Sequence, residues 1–163
     1  MSRVGLRLSL ALGLFAFALD RLHKYFQIHV MDWPPGLFRP LTPFFDVGLV
    51  FNTGISYGLL GSLPLWVIAI VVAVAMIALA IWWTRANTVL VRAGLALCLG
   101  GALSNAADRA IYGAVADFFH LHLEIGGIFD FVFNLADAAI SLGVLLLLLD
   151  FLGIGRARQP KTA

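Results

Sequence analysis

The stretch "SNAADRAIYGAVADFFHLH", Ser104 to His122, decides how this chain is read. It closes an apolar run and carries two aspartates, an arginine and two histidines. A second apolar run follows and opens with "FVFNLADAAIS", Phe131 to Ser141, so an asparagine and an aspartate stand at its mouth. Carboxylates at the edges of two neighbouring apolar runs need a reason. An ionisable group at membrane depth is costly unless it is paired or hydrated, and is a functional candidate by default.

The 163 residues around these stretches are 61% hydrophobic and only 12% charged, with mean hydropathy +0.96. A soluble domain of this length could not bury that much apolar surface, so a single polytopic membrane domain, residues 1–163, is expected. The lone cysteine, Cys98, lies inside an apolar run and can form neither an intrachain disulfide nor a thiolate metal site. The net charge of +2 says less than its distribution.

Apolar runs of about 20 residues span a hydrocarbon core, and the chain offers runs near this length at 5–22, 63–83, 89–107 and 131–152. The expected fold is therefore all-α, with four transmembrane helices. The first run follows Arg3 and Arg7 as a signal peptide would, but "DRLHKYF" after it is too bulky and charged for a cleavage site, so an uncleaved span is expected. Arg3, Arg7, Arg85, Arg92, Arg156, Arg158 and Lys161 fall on one side of these spans, and Arg21, Lys24, Arg39 and Arg109 on the other. That bias puts both termini in the cytoplasm. The acidic residues are more lopsided: all but Asp150 map to the outer half.

Two outer segments are long, 23–62 and 108–130. Prolines exclude a continuous helix in the first, and the alternation in "DVGLVFN" suits strands of a small β-like extracytoplasmic platform. Trp33, Phe38, Phe44 and Phe45 suit headgroup depth.

Asn105, Asp108 and Arg109 are spaced i, i+3, i+4 and share a helical face, which Gly94 and Gly101 continue as a strip of small residues. Asn134 and Asp137, at i, i+3, share another, with Ser141 one turn below. Asp20 and Lys24, at i, i+4 after the first span, read as an ion pair more readily than as catalysts. His23, His29, His120 and His122 invite a metal reading, and His120 and His122 at i, i+2 can share a strand face. No carboxylate or thiolate spacing completes a ligand set, so no metal and no other cofactor is expected.

Two outer carboxylates without a metal or an activated nucleophile suit an aspartic protease. One carboxyl takes a proton from water while the other donates to the scissile carbonyl oxygen. Asp117 and Asp137 are the candidates for such a dyad, although spacing alone does not bring them together.

Four motif blocks then become legible together. "NAADRAIYGAVADFF" looks like N-x-x-D-R…G-x-V-x-D-F, and "FNLADAAI" like F-N-x-A-D-x-x-I. "FNTGISYG" looks like N-x-G-A-A-F-G, and "DRLHK" like D-x-x-x-K. In this order and at one rim they make the chain resemble the lipoprotein signal peptidases, the bacterial type II signal peptidases. The resemblance covers nearly the whole chain. It implies a four-helix aspartyl endopeptidase of the bacterial cytoplasmic (inner) membrane, with its site at the extracytoplasmic face. Such an enzyme cuts the signal peptide from a prolipoprotein just before a diacylglyceryl-modified cysteine. By motif position, Asp117 and Asp137 would be catalytic. Asn52, Gly54, Gly101, Asn105, Asp108, Arg109, Asn134 and Ala136 would shape or brace the site, with Asp20 and Lys24 as structural support. The small helix faces would admit the apolar signal segment. The implied partners are the lipid-modified prolipoprotein and membrane lipids; no nucleic acid is expected, and the expected state is a monomer.

The chain departs from the family pattern at "GISY", which stands where "GAAF" is usual, at Ser104 for a usual glycine, and at Arg21 for a common glutamine. The stretch "HLHLEIGGIFD" is longer than in many members. A second reading, an ion- or proton-coupled transporter, also uses membrane carboxylates. Against it stand the lack of an inverted repeat and the clustering of carboxylates at one rim instead of the midplane.

Overall fold

The computed structural model describes residues 3–54, 64–123 and 129–154. The "ISYG" departure, Glu124 and the middle of the second outer loop, the start of the second span at Leu63, and the basic tail with Arg156, Arg158 and Lys161 lie outside the described residues.

The chain runs α1 (Arg3–Tyr25), a π-helical turn (Phe26–Val30), β1 (Phe38–Thr42), β2 (Phe45–Asn52), α2 (Leu65–Arg85), α3 (Val89–Tyr112), β3 (Val115–Leu123), β4 (Phe129–Phe133) and α4 (Leu135–Phe151). It is mostly helical with one small antiparallel sheet in the order β1-β2-β3-β4. Among the described residues, α2 and α3 are long and apolar enough to cross a membrane.

The two differ in what surrounds them. In α2 only Ile68 is buried, and Trp66, Ile70, Val74, Ile77 and Ile81 face outward. A helix apolar all round yet uncovered by protein is suited to contact with lipid. Helix α3 is the central element and packs against α1, α2 and α4. Thr88 caps its start, accepting from the Val91 N–H at 3.1 Å. Gly113 ends it at φ +72°, a left-handed conformation that glycine adopts without strain.

Glycines set how closely the helices approach. A Cβ at Gly94 would lie 2.7 Å from the Gly143 carbonyl oxygen, and one at Gly101 would lie 2.5 Å from that of Ala136. The strip of small residues on α3 is therefore filled by α4. This is the close approach of a neighbouring helix that small residues permit.

Two boundaries also differ from the sequence reading. Helix α3 continues past residue 107 to Tyr112. The run read as a helix from Phe131 begins as strand: Phe133 pairs with Phe119 and Phe131 with Leu121, and α4 starts only after Asn134. A short apolar run carries no periodicity that separates a buried strand from a helix.

The platform forms as the "DVGLVFN" alternation implies. Strand β2 pairs with β3 through Val50↔Asp117 and Asn52↔Val115. Leu49, Ala116 and Phe118 make its buried cluster, with Ile28, Trp33, Phe51 and Phe119 packed against it. Trp33 thus sits partly in that cluster, with the Arg39 guanidinium 5.3 Å from its ring.

Candidate active site

Asn134 organises the site. It is the N-cap of α4: its side-chain oxygen accepts from the Asp137 N–H at 3.0 Å, and the Asp137 carboxylate accepts from the Asn134 N–H at 3.2 Å. This reciprocal capping box fixes where Asp137 stands. The amide nitrogen of the same side chain donates to Asp117 Oδ1 at 2.6 Å. Asn52 Nδ2, from β2, donates to the other oxygen of Asp117 at 3.2 Å. Asn105 Nδ2, from α3, donates to Asp137 Oδ1 at 2.8 Å. Each aspartate is thus held by an asparagine that also bonds elsewhere in the site. Asn105 Oδ1 accepts from Asn134 Nδ2 at 3.1 Å, and Asn52 Oδ1 accepts from the Gly54 N–H at 3.0 Å.

Both carboxylates line one cleft of about 260 Å³, whose other polar groups come from Asn52, Asn105, Arg109 and Ser141 and whose apolar lining includes Val72 and Ile140. Asp117 is 2% exposed. Burial pushes its carboxyl up from the usual range to about 7, and the neighbouring charge of Asp137 adds to the rise, against the hydrogen bonds from Asn52 and Asn134. Near neutral pH, Asp117 therefore holds a proton for much of the time.

Arg109 reaches the carbonyl oxygens of Gly54 at 2.9 Å and Asn105 at 3.3 Å. It ties the segment after β2 to α3 at the lip of the cleft.

Behind the cleft lies a second polar group, which braces it. Lys24 is fully buried and directs its three donors to Asp20 at 2.8 Å, Asp108 at 2.6 Å and Asn105 Oδ1 at 3.0 Å. Asp20 also accepts from the Ala136 N–H at 2.9 Å, so α1 is fastened to the first turn of α4. Asp108 also accepts from the Ala116 N–H at 3.1 Å, beside Asp117. The two departures at this end of the chain both enter the network: Ser104 Oγ donates to Asp20 at 2.6 Å, and Arg21 pairs with Asp108. Two cations thus face two buried carboxylates. Removing one partner would strand a buried charge.

The residues singled out from the sequence therefore fall into three places. Asn52, Asn105, Arg109, Asn134, Asp117 and Asp137 meet at the cleft. Asp20, Lys24 and Asp108 form the buried brace. Gly54 and Ala136 contribute backbone groups, and Gly101 allows the close approach of α4. The ion pair that the Asp20–Lys24 spacing suggests forms at 2.8 Å, and it is fully buried. Arg21 and Ser104 were visible only as departures from a pattern. Their spacing to Asp108 and Asp20, across 87 and 84 residues, carries no local signal.

The family model described as signal peptidase (SPase) II matches residues 12–153. A lipoprotein signal peptidase of Rhodopseudomonas palustris is 45% identical over 160 residues, which cover 94% of this chain and 98% of that protein. A lipoprotein signal peptidase of Beijerinckia indica subsp. indica is 44% identical over 144 residues, 85% of each chain. A solved structure described as a bacterial membrane enzyme superposes with a TM-score of 0.78 at 25% identity, covering 95% of this chain and 93% of that one. A second, also a bacterial membrane enzyme, gives 0.73 at 26% identity, with 88% and 92% covered. These matches give the transporter reading no support. They run from α1 through both aspartate-bearing elements to α4, and the chain belongs to the signal peptidase II family.

Proposed function

We propose that Asp117 and Asp137 are the catalytic pair of an aspartic endopeptidase that removes the signal peptide from diacylglyceryl-modified prolipoproteins. It cuts on the N-terminal side of the lipidated cysteine. The observation that carries this reading is the shared cleft: two carboxylates, each steadied by asparagines, line one partly apolar space. Family membership supports the substrate class.

In the reaction, a water lies between the two carboxyls and the scissile carbonyl. The ionised member of the pair takes a proton from the water, and the protonated member donates to the carbonyl oxygen. The new C–O bond gives a tetrahedral diol, which collapses as the leaving amide nitrogen takes up a proton. Like charges lining one cleft do not both ionise readily, so the pair titrates as a unit and holds one proton in its working state. Arg109 keeps the segment after β2 over the cleft, and the apolar wall limits water.

In our reading all four helices cross the bacterial inner membrane, with both termini cytoplasmic and the sheet at the extracytoplasmic face. The Lys and Arg bias and the lipid-facing surface of α2 support it. A substrate held by its own lipid then reaches the cleft by lateral diffusion. One chain supplies every site residue, and the enzyme acts as a monomer. The test is cleavage of a diacylglyceryl-modified prolipoprotein by the purified chain. The unlipidated precursor should be cut far more slowly, and equal rates on both would overturn the lipid requirement.

A further inference from the structure

The sheet has a second cluster of chemistry-bearing side chains. Asp46 on β2 is the cross-strand partner of His120 on β3, and His122 follows on the same face of β3. The ligand atoms of Asp46, His120 and His122 all lie within 4.8 Å of one another. Asp46 Oδ2 is 3.3 Å from His120 Nδ1 and 3.2 Å from His122 Nε2. Asp117 is three positions before His120, so the pleat turns it to the opposite face of the strand.

We propose that Asp46, His120 and His122 bind a divalent cation of the zinc type, at a site separate from the aspartate pair. Three observations point the same way. First, the two separations from Asp46 suit the ion. Donors about 2.0–2.2 Å from a tetrahedral Zn²⁺ stand about 3.3 Å apart, and the Asp46–His separations are 3.3 and 3.2 Å, with the two histidine nitrogens within 4.8 Å of each other. Second, His122 Nε2 is enclosed and makes no hydrogen bond, so its approach to Asp46 is not a shared proton. A lone pair directed at a cation gives that nitrogen a partner. Third, His120 Nε2 lies 2.7 Å from Asp130 Oδ1 on β4. Donation there fixes the tautomer that leaves Nδ1 free to ligate, the carboxylate–histidine arrangement common behind zinc ligands.

The donor set also selects the ion. Two imidazoles and one carboxylate suit borderline first-row cations and are a poor match for Mg²⁺ or Ca²⁺, which require oxygen ligands. The three ligating side chains are each part-exposed, so the cluster lies close to solvent. The bound ion would fasten β2 to β3 and, through Asp130, β3 to β4. Those strands carry Asn52 and Asp117, so the ion would stiffen the platform over the cleft without touching the reacting atoms.

The test uses the full-length, tag-free protein in detergent, stripped with a chelator and titrated with ZnSO₄ by calorimetry, with melting temperature read in parallel. One equivalent of Zn²⁺ should bind saturably and raise the melting temperature, while Mg²⁺ should do neither. His122→Gln and Asp46→Asn should each lower the affinity, and Asp130→Asn should lower it about tenfold. His29→Gln, on the π-helical turn, should leave it unchanged. Zinc-free melting temperatures of the variants report folding independently of binding. Co²⁺ in place of Zn²⁺ should give the visible absorption of a tetrahedral site. Failure of the wild type to bind one equivalent would overturn the proposal. So would wild-type affinity in folded His122→Gln and Asp46→Asn variants. Neither result bears on cleavage at the aspartate pair.

Discussion

The side-chain nitrogen of Asn134 lies 2.6 Å from Asp117 Oδ1, and this one amide joins a strand carboxylate to the cap of helix α4. The same side chain holds Asp137 through the capping box. The relative position of the two aspartates is thus set where β3 meets the start of α4.

If the two carboxylates exchange a proton with water and substrate, neither has a substitute. Asn keeps the shape of Asp but cannot take up or give back that proton. Asp117→Asn and Asp137→Asn should each reduce turnover of a diacylglyceryl-modified prolipoprotein by about a hundredfold or more. Near wild-type turnover by either folded variant would remove that residue from the pair.

The same substitution at Asp117 has a stability consequence with a defined sign. In the folded protein the Asp117 carboxyl is pushed up to about 7, whereas unfolded it titrates near 3.9. Between these values the folded state binds more protons, so stability falls as pH rises through the window and levels off above about 7. At one pKa unit per 1.36 kcal/mol the loss approaches 4 kcal/mol. An asparagine at this position does not titrate. The melting temperature of Asp117→Asn relative to wild type should therefore climb between about pH 4 and pH 7, a range set by that shift. A constant difference across this range would mean that Asp117 is ionised throughout.

Asn134 has two duties, and they can be separated. Ser caps a helix about as well as Asn but has no amide to give to Asp117. Asn134→Ser should keep most of the stability that Asn134→Ala loses, which is about 1 kcal/mol for the cap alone. Both variants remove a hydrogen bond that favours ionised Asp117, so both should move the alkaline limb of the pH–rate profile upward. An unmoved limb in both would show that the profile reports another group.

Much of this site was legible in the sequence because its residues sit in short blocks at helix ends. Asn134 and Asp137 are one helical turn apart, and so are Asn105 and Asp108. Spacing named them, and the motif order drew Asp117 to Asp137. What stayed hidden were contacts across long separations: Arg21 with Asp108, Ser104 with Asp20, and Asp46 with the two histidines. No periodicity encodes those, because the packing of α1 on α3 and the register of β2 on β3 create them. The start of α4 was misread for a local reason. "FVF" is as apolar as a helix, and only pairing with β3 makes it a strand.

Ser104 offers a test of one such hidden contact. Its hydroxyl donates to a fully buried carboxylate. A hydrogen bond to a charged group contributes about 1.5–3 kcal/mol. Ser104→Ala should lower stability by roughly that amount and leave the pH profile of cleavage in place, because Asp20 stands behind the cleft. Lys24→Met should cost more, about 3–5 kcal/mol, since it leaves Asp20 and Asp108 facing each other with Arg21 alone. Thermal unfolding in detergent ranks the two, and the reverse order would mean that the brace is not held by Lys24.

Arg109 separates holding a cleft from holding a fold. Its two terminal nitrogens reach two carbonyl oxygens, Gly54 beyond β2 and Asn105 on its own helix, while Nε is enclosed without a hydrogen bond. Lysine keeps the charge but offers a point in place of the planar fork, so Arg109→Lys can satisfy only one of the carbonyls well. The contact given up is the one to Gly54 on the separate segment after β2, because the Asn105 carbonyl lies one turn away on the helix that carries the side chain. Losing one charge-assisted hydrogen bond, about 1.5 kcal/mol, corresponds to about tenfold in turnover if the segment after β2 must be in place for reaction. The helices themselves lose little, so the melting temperature should stay close to that of Arg7→Lys, a change at an exposed position of α1. A tenfold fall in turnover with an unchanged melting temperature places Arg109 at the lip of the cleft as a positioning residue. Equal losses in both measurements would make it part of the fold, and no loss in either would leave it an interfacial charge.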